Sequence, residues 1–195
     1  MQLLCNIVSD KGIKVTTIVL TTVLGPSYPH SSTKFTSKAR TVMSNILEFL
    51  ASTDSPLMIN VYPYIPYKSN PSTVCLDYVM FTAIDTVVQE GAYSYRNLFD
   101  AIVDSFFTTM AKVCAGNVKI VVFETGWPSN GNGNVTTPQL AATYNKNFMN
   151  HILKKEGTPR RPGEKIEEFI FVMFNENQKQ GGEKKKHFGL FYPNM

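Results

Sequence analysis

The chain has 195 residues, 43% of them hydrophobic, with 19 Lys and Arg against 15 Asp and Glu, a net charge of +4. That length and apolar content suit one domain with a real core, spanning residues 1–195. The mild, scattered positive charge argues against a nucleic-acid binder, which gathers basic residues on one face. No apolar run reaches the length of a membrane span.

Residues 1–8 read as the end of an amphipathic helix, closed by Ser9-Asp10-Lys11-Gly12. They lack the basic region and long apolar segment of a signal peptide. Residues 13–20, dense in Val, Ile and Thr, read as a first strand, with a turn-rich stretch over 25–32. A helix follows over about 37–50, with Val42, Ile46, Phe49 and Leu50 on one face. The second strand covers 57–62 and ends at Pro63; an aromatic, Pro-rich loop then carries Tyr64, Tyr67 and Pro71. Over 95–114, Phe99, Ile102, Val103, Phe106, Phe107, Met110 and Val113 recur at helical spacing. A third strand, 118–123, delivers Glu124. Thr137 and Pro138 supply an N-cap and a first-position Pro for a helix to about 155. Ala141, Tyr144, Phe148 and Ile152 face inward from it. Residues 158–163 form a Pro/Arg loop. The fourth strand, 168–174, runs into Asn175-Glu176-Asn177-Gln178-Lys179.

Strands alternating with helices imply a parallel sheet. Polar groups gather at Tyr62, Glu124 and Glu176, each at a strand's carboxyl end, where (β/α) barrels place their chemistry. The expected fold is therefore α/β, of the (β/α)8 TIM-barrel type, truncated to four of its eight units. Other chemistries lack their motifs. Cys5, Cys75 and Cys114 fit no zinc or disulfide spacing and read as small core hydrophobes. His30, His151 and His187 are isolated, so no metal is expected. Neither a G-x-S-x-G elbow nor a phosphate loop occurs. Lys184-Lys185-Lys186 reads as a solvated loop.

The most informative stretch is Phe123-Glu124-Thr125-Gly126-Trp127-Pro128-Ser129. A buried strand presents one carboxylate, and Gly and Pro turn the chain at once. Trp127 beside it suggests a sugar site, because an indole face packs against the C–H face of a pyranose. A strand ending in a solvated Glu is the alternative.

This segment resembles the signature of glycoside hydrolase family 17, the plant endo-β-1,3-glucanases and their β-1,3-1,4 relatives. Asn60-Val61-Tyr62-Pro63-Tyr64, Tyr95-Arg96-Asn97-Leu98-Phe99-Asp100-Ala101, Met173-Phe174-Asn175-Glu176-Asn177-Gln178-Lys179 and Phe188-Gly189-Leu190-Phe191 match in the family's order. The resemblance spans nearly the whole chain and aligns it with strands 5–8 of the barrel, the C-terminal half. It implies a retaining glycosidase with no cofactor, acting on β-1,3-glucan, with Glu124 as nucleophile. Tyr62, Tyr64, Trp127, Glu176, Lys179 and Phe188 become substrate-binding or site-supporting candidates. The family's acid/base is the Glu of an Asn-Glu pair ending the fourth strand; Asn175-Glu176 ends the eighth instead. The resemblance thus implies a glucanase impaired by lack of the acid/base strand, or alternatively a non-catalytic β-glucan-binding or remnant protein. Where the family tends to carry a Glu three residues before Phe-Gly-Leu-Phe, this chain has Lys185. Family members are usually secreted or vacuolar, and there Asn134-Val135-Thr136 would be an N-glycosylation acceptor. Unpaired edges on the first and fourth strands would favour self-association.

Overall fold

The structure is a computed structural model that describes residues 1–8, 11–26 and 28–193. A four-stranded parallel sheet organises it: β1 (Ile18–Leu20), β2 (Leu57–Asn60), β5 (Ile120–Thr125) and β8 (Glu167–Ile170), in that order. Between them run α2 (Ser37–Ser52), α5 (Leu98–Ala111) and α6 (Pro138–Leu153). This is half the strand complement of a closed (β/α)8 barrel, in the barrel's own alternation. Helix α1 (Gln2–Val8) precedes the sheet, as its amphipathic residues imply. Its expected closing residues Ser9 and Asp10 lie outside the described residues.

Side-chain alternation along β2 defines two faces. Leu57, Ile59 and Val61 are fully buried against the helical layer. Asn60 and Tyr62, on the other face, are only half-buried. On that face Phe123 is 37% and Phe169 47% exposed, with ring centroids 6.4 Å apart.

Local signals explain the helices. Thr36 caps α2 by accepting from Ala39 N, and Thr137 caps α6 by accepting from Leu140 N, both at 3.2 Å. Each cap contributes roughly 1 kcal/mol. The inner stripe of α2 is Met43, Leu47 and Leu50, one position on from the expected Val42, which is 59% exposed. Helix α5 begins later than its periodicity suggests. Asn97 accepts from Asp100 N at 2.8 Å and sets the start, while Tyr93–Tyr95 (β4) pairs with Val88–Glu90 (β3) across a turn with Gly91 at φ +59°. The expected loop after β2 is instead a short helix, α3 (Tyr64–Ser69), with Pro66 in its first turn, where proline is tolerated. A four-residue helix, α4 (Leu76–Val79), follows, and a short antiparallel pair, β6 (Gly157–Thr158) with β7 (Arg161–Pro162), lies between α6 and β8.

Every residue from Leu98 to Met110 in α5 is buried, because loops cover its outer side as well. Asp104 pins that cover. Its Oδ1 accepts from Thr158 Oγ1 at 2.5 Å, and its Oδ2 from Arg160 N at 2.9 Å and Tyr95 OH at 3.0 Å. Burial pushes its carboxyl up to about 6 despite those donors. Cys75 and Cys114 correct the sequence reading, since both are exposed thiols. Cys75 precedes α4 and Cys114 sits in a left-handed turn (φ 61°) beyond α5, so neither reaches the core.

Candidate active site

The carboxyl end of the sheet gathers the expected residues unequally. A register shift in the β2–β5 pairing sets Ile59 opposite Val122 but Asn60 opposite Glu124, leaving Phe123 as the extra residue. Such a bulge re-aims a side chain. Glu124 Oε2 accepts from Asn60 Nδ2 at 2.6 Å and from Tyr62 OH at 3.0 Å. Among the described residues nothing donates to its Oε1. Burial, then the Glu124 charge, raises the Tyr62 phenol above its ordinary range, so it remains a protonated donor.

Asn60 is the site residue that sequence reasoning missed. Its signal was available: two residues before Tyr62 on one strand places both side chains on one face.

The turn after Glu124 is tightly packed. A Cβ at Gly126 would stand 2.5 Å from Phe171 O, so the close approach of the chain beyond β8 requires glycine. Trp127 is only 1% exposed; it donates from Nε1 to Val135 O at 2.9 Å and packs against Tyr64, Tyr67 and Tyr144. Tyr64 is 2% exposed. Both rings are almost closed to solvent. Trp127 thus packs within the turn behind Glu124, and Tyr64 reaches the cleft only at its buried wall.

Tyr62 and Phe188 stay half-buried and meet edge to face, centroids 5.6 Å apart. Phe188 is seated because Gly189 N donates to Asn175 Oδ1 at 2.8 Å. Glu176 and Lys179 form an ion pair with each other, and the Lys179 ammonium lies 4.7 Å from the Phe171 ring centroid. A cleft of about 560 Å³ joins Glu124, Tyr62, Phe188, Phe171 and Lys179. Its walls are α3, with Ile65 and Lys68, and a 3-10 turn, Glu183–Lys186, with Lys184 and Lys185. Lys184 and Lys185 thus line the cleft while staying in contact with solvent, Lys184 half-buried and Lys185 exposed. A cavity of equal volume around Asp100 and His151 shares no lining residue with this one. Asn134 is exposed on a 3-10 turn, while the Thr136 hydroxyl is buried and bonded within its own loop.

The family described as glycosyl hydrolases family 17 matches residues 3–195. The chain belongs to that family. Among family 17 relatives it is 46% identical to probable glucan endo-1,3-beta-glucosidase BG5 of Arabidopsis thaliana, covering 100% of this chain and 55% of that protein. It is 50% identical to lichenase-2 of Hordeum vulgare, over 94% of this chain and 57% of that protein. A solved structure described as one of two plant β-glucan endohydrolases with distinct substrate specificities matches at a TM-score of 0.93 and 47% identity. It covers 100% of this chain and 63% of that one. CJP38, a β-1,3-glucanase and allergen of Cryptomeria japonica pollen, matches at 0.92 and 43%, over 99% and 61%. The family 17 chain thus spans little more than half the length of these curated relatives.

Proposed function

We propose that this chain carries the nucleophile half of a retaining endo-β-1,3-glucanase site. The carrying observation is Glu124, held at the sheet's carboxyl end with one oxygen fixed by Asn60 and Tyr62 and the other free. In the proposed reaction Oε1 attacks the anomeric carbon of a glucosyl unit. The glycosidic bond breaks, the leaving oxygen takes a proton from a second carboxyl, and water releases the covalent glycosyl–enzyme. Asn60 and Tyr62 orient the attacking group and stabilise its charge. Tyr62 and Phe188 contact the sugar; Trp127 and Tyr64 hold the turn behind it.

Retention requires two carboxyl groups about 5–5.5 Å apart. The neighbouring Glu176 is ion-paired with Lys179, and the resemblance assigns the acid to a fourth barrel strand. These 195 residues acting alone are therefore proposed to turn over slowly, since general acid catalysis contributes roughly 10²–10⁴-fold. The same ion pair favours a second reading, glucan binding without turnover. Laminarin hydrolysis by the purified chain, with and without an amino-terminal extension supplying further strands, decides between them. Catalysis predicts reducing ends that vanish in Glu124→Gln. Binding that persists in Glu124→Gln, with no reducing ends released by either form, refutes it.

We also propose self-association through the sheet edges. Among the described residues β1 pairs in the sheet only with β2 and β8 only with β5, although residues 188–191 cover the chain just beyond β8; Ile18 and Leu20 on β1 are 43% and 52% exposed. Edge strands of this kind template pairing with another chain. Light scattering at micromolar concentration should give a mass above 21.9 kDa; a stable monomer contradicts the proposal.

A further inference from the structure

The mouth of the Glu124 cleft is basic on both walls. Lys68 projects from α3, and Lys184 and Lys185 from the facing 3-10 turn; all three line the cleft. Among the described residues none of the three makes an ion pair, whereas their neighbours Lys179 and Lys186 are paired with Glu176 and Glu183. Lys68 and Lys184 open into the same cleft as like charges. Each offers three donors and no acceptor, so the two repel. Lys68, then burial, then Lys185, holds the Lys184 ammonium below the usual lysine range. An anionic oxygen group between the two lysines turns their repulsion into charge-assisted hydrogen bonds. The same cleft is lined by the aromatic rings of Tyr62, Phe171 and Phe188, which suit contact with a sugar ring.

We propose that Lys68 and Lys184, with Lys185 beside them, form a subsite for an anionic substituent, a carboxylate or phosphate, carried on a β-glucan chain in the cleft. The subsite rests on the glucanase reading above. The substituent belongs on the sugar chain because the lysines open into the same cleft as Glu124, whose charge opposes a free anion sinking deeper. A sugar ring against the cleft's aromatic side chains holds a pendant group at the lysines instead.

The test is calorimetric titration of the purified chain with three probes: a neutral β-1,3-gluco-oligosaccharide, the same oligosaccharide carboxymethylated, and inorganic phosphate. The carboxymethylated chain should bind about tenfold more tightly than the neutral one at low salt. That ratio should shrink towards one at about 1 M salt, where the screening length falls to about 3 Å. It should also fall towards one in Lys68→Gln/Lys184→Gln, and return in Lys68→Arg/Lys184→Arg. Lys38→Gln/Lys165→Gln removes the same charge at exposed positions elsewhere and should keep the ratio. Circular dichroism melts verify that each variant folds. Equal affinities in the wild type, or a ratio that survives Lys68→Gln/Lys184→Gln, overturn the subsite. Phosphate binding that needs both lysines, without any advantage for the carboxymethylated chain, assigns them to free phosphate and also overturns it. A neutral oligosaccharide that binds without a charge advantage sinks the subsite alone. Failure of both oligosaccharides to bind sinks the glucanase reading together with it.

Discussion

Replacing Asp104 by Asn tests whether the loop cover of α5 is held by a neutral acid. With its carboxyl at about 6 in the fold against an ordinary 3.8, the folded chain retains a proton that the unfolded chain releases. The stability from this group is complete below 3.8, declines as pH rises, and is gone above about 6. The gap corresponds to about 3 kcal/mol at about 1.4 kcal/mol per pH unit. Asn reproduces the protonated acid in place: its amide donates to Thr158 Oγ1 where Oδ1 lies, and its carbonyl accepts from Tyr95 OH and Arg160 N where Oδ2 lies. Asn does not titrate. Urea unfolding followed by circular dichroism should therefore show Asp104→Asn gaining about 3 kcal/mol relative to the wild type between about pH 4 and pH 7. A difference that stays flat across that window, or moves towards the wild type, would falsify the burial argument. It would mean the three donors hold the group ionised.

Two further substitutions probe the site. Tyr62→Phe removes one of two donors to Glu124 Oε2; hydrogen bonds to charged groups contribute about 1.5–3 kcal/mol. Laminarin kcat/KM in the amino-terminally extended form should fall roughly ten- to hundredfold with little change in melting temperature, and an unchanged rate would remove Tyr62 from the machinery. Gly126→Ala pushes a methyl against Phe171 O. Its urea midpoint should report a loss of about 1–3 kcal/mol, as overpacking does, and a loss below about 0.5 kcal/mol would show that the turn yields.

The chemistry-bearing strand was legible because β5 is a short apolar run stopped by Gly126 and Pro128, and nothing in the tertiary structure competes with that signal. α6 was legible through Thr137 and Pro138. Helix α5 was legible in its body but not its start: apolar periodicity runs on through Tyr95, whereas the decisive hydrogen bond belongs to Asn97. Helix α3 was hidden because Pro63 and Pro66 look like loop punctuation until they occupy the first turn of a helix. In the site, Glu124 and Tyr62 could be named from their strand ends, and Phe188 through the family resemblance. Tyr64 could not be separated from sugar contact, because its burial depends on Trp127 and Phe188 arriving from distant segments. Asn60 shares a strand face with Tyr62, but its pairing with Glu124 depends on a register shift between two strands that the sequence does not display.

Trp127 is the chain's single tryptophan, and it sits three residues from Glu124 in an aromatic cage. Its emission is therefore a native spectroscopic beacon confined to one turn of the molecule. Excitation of this indole should report loosening of the carboxylate's backing before the rest of the sheet comes apart, without an attached dye.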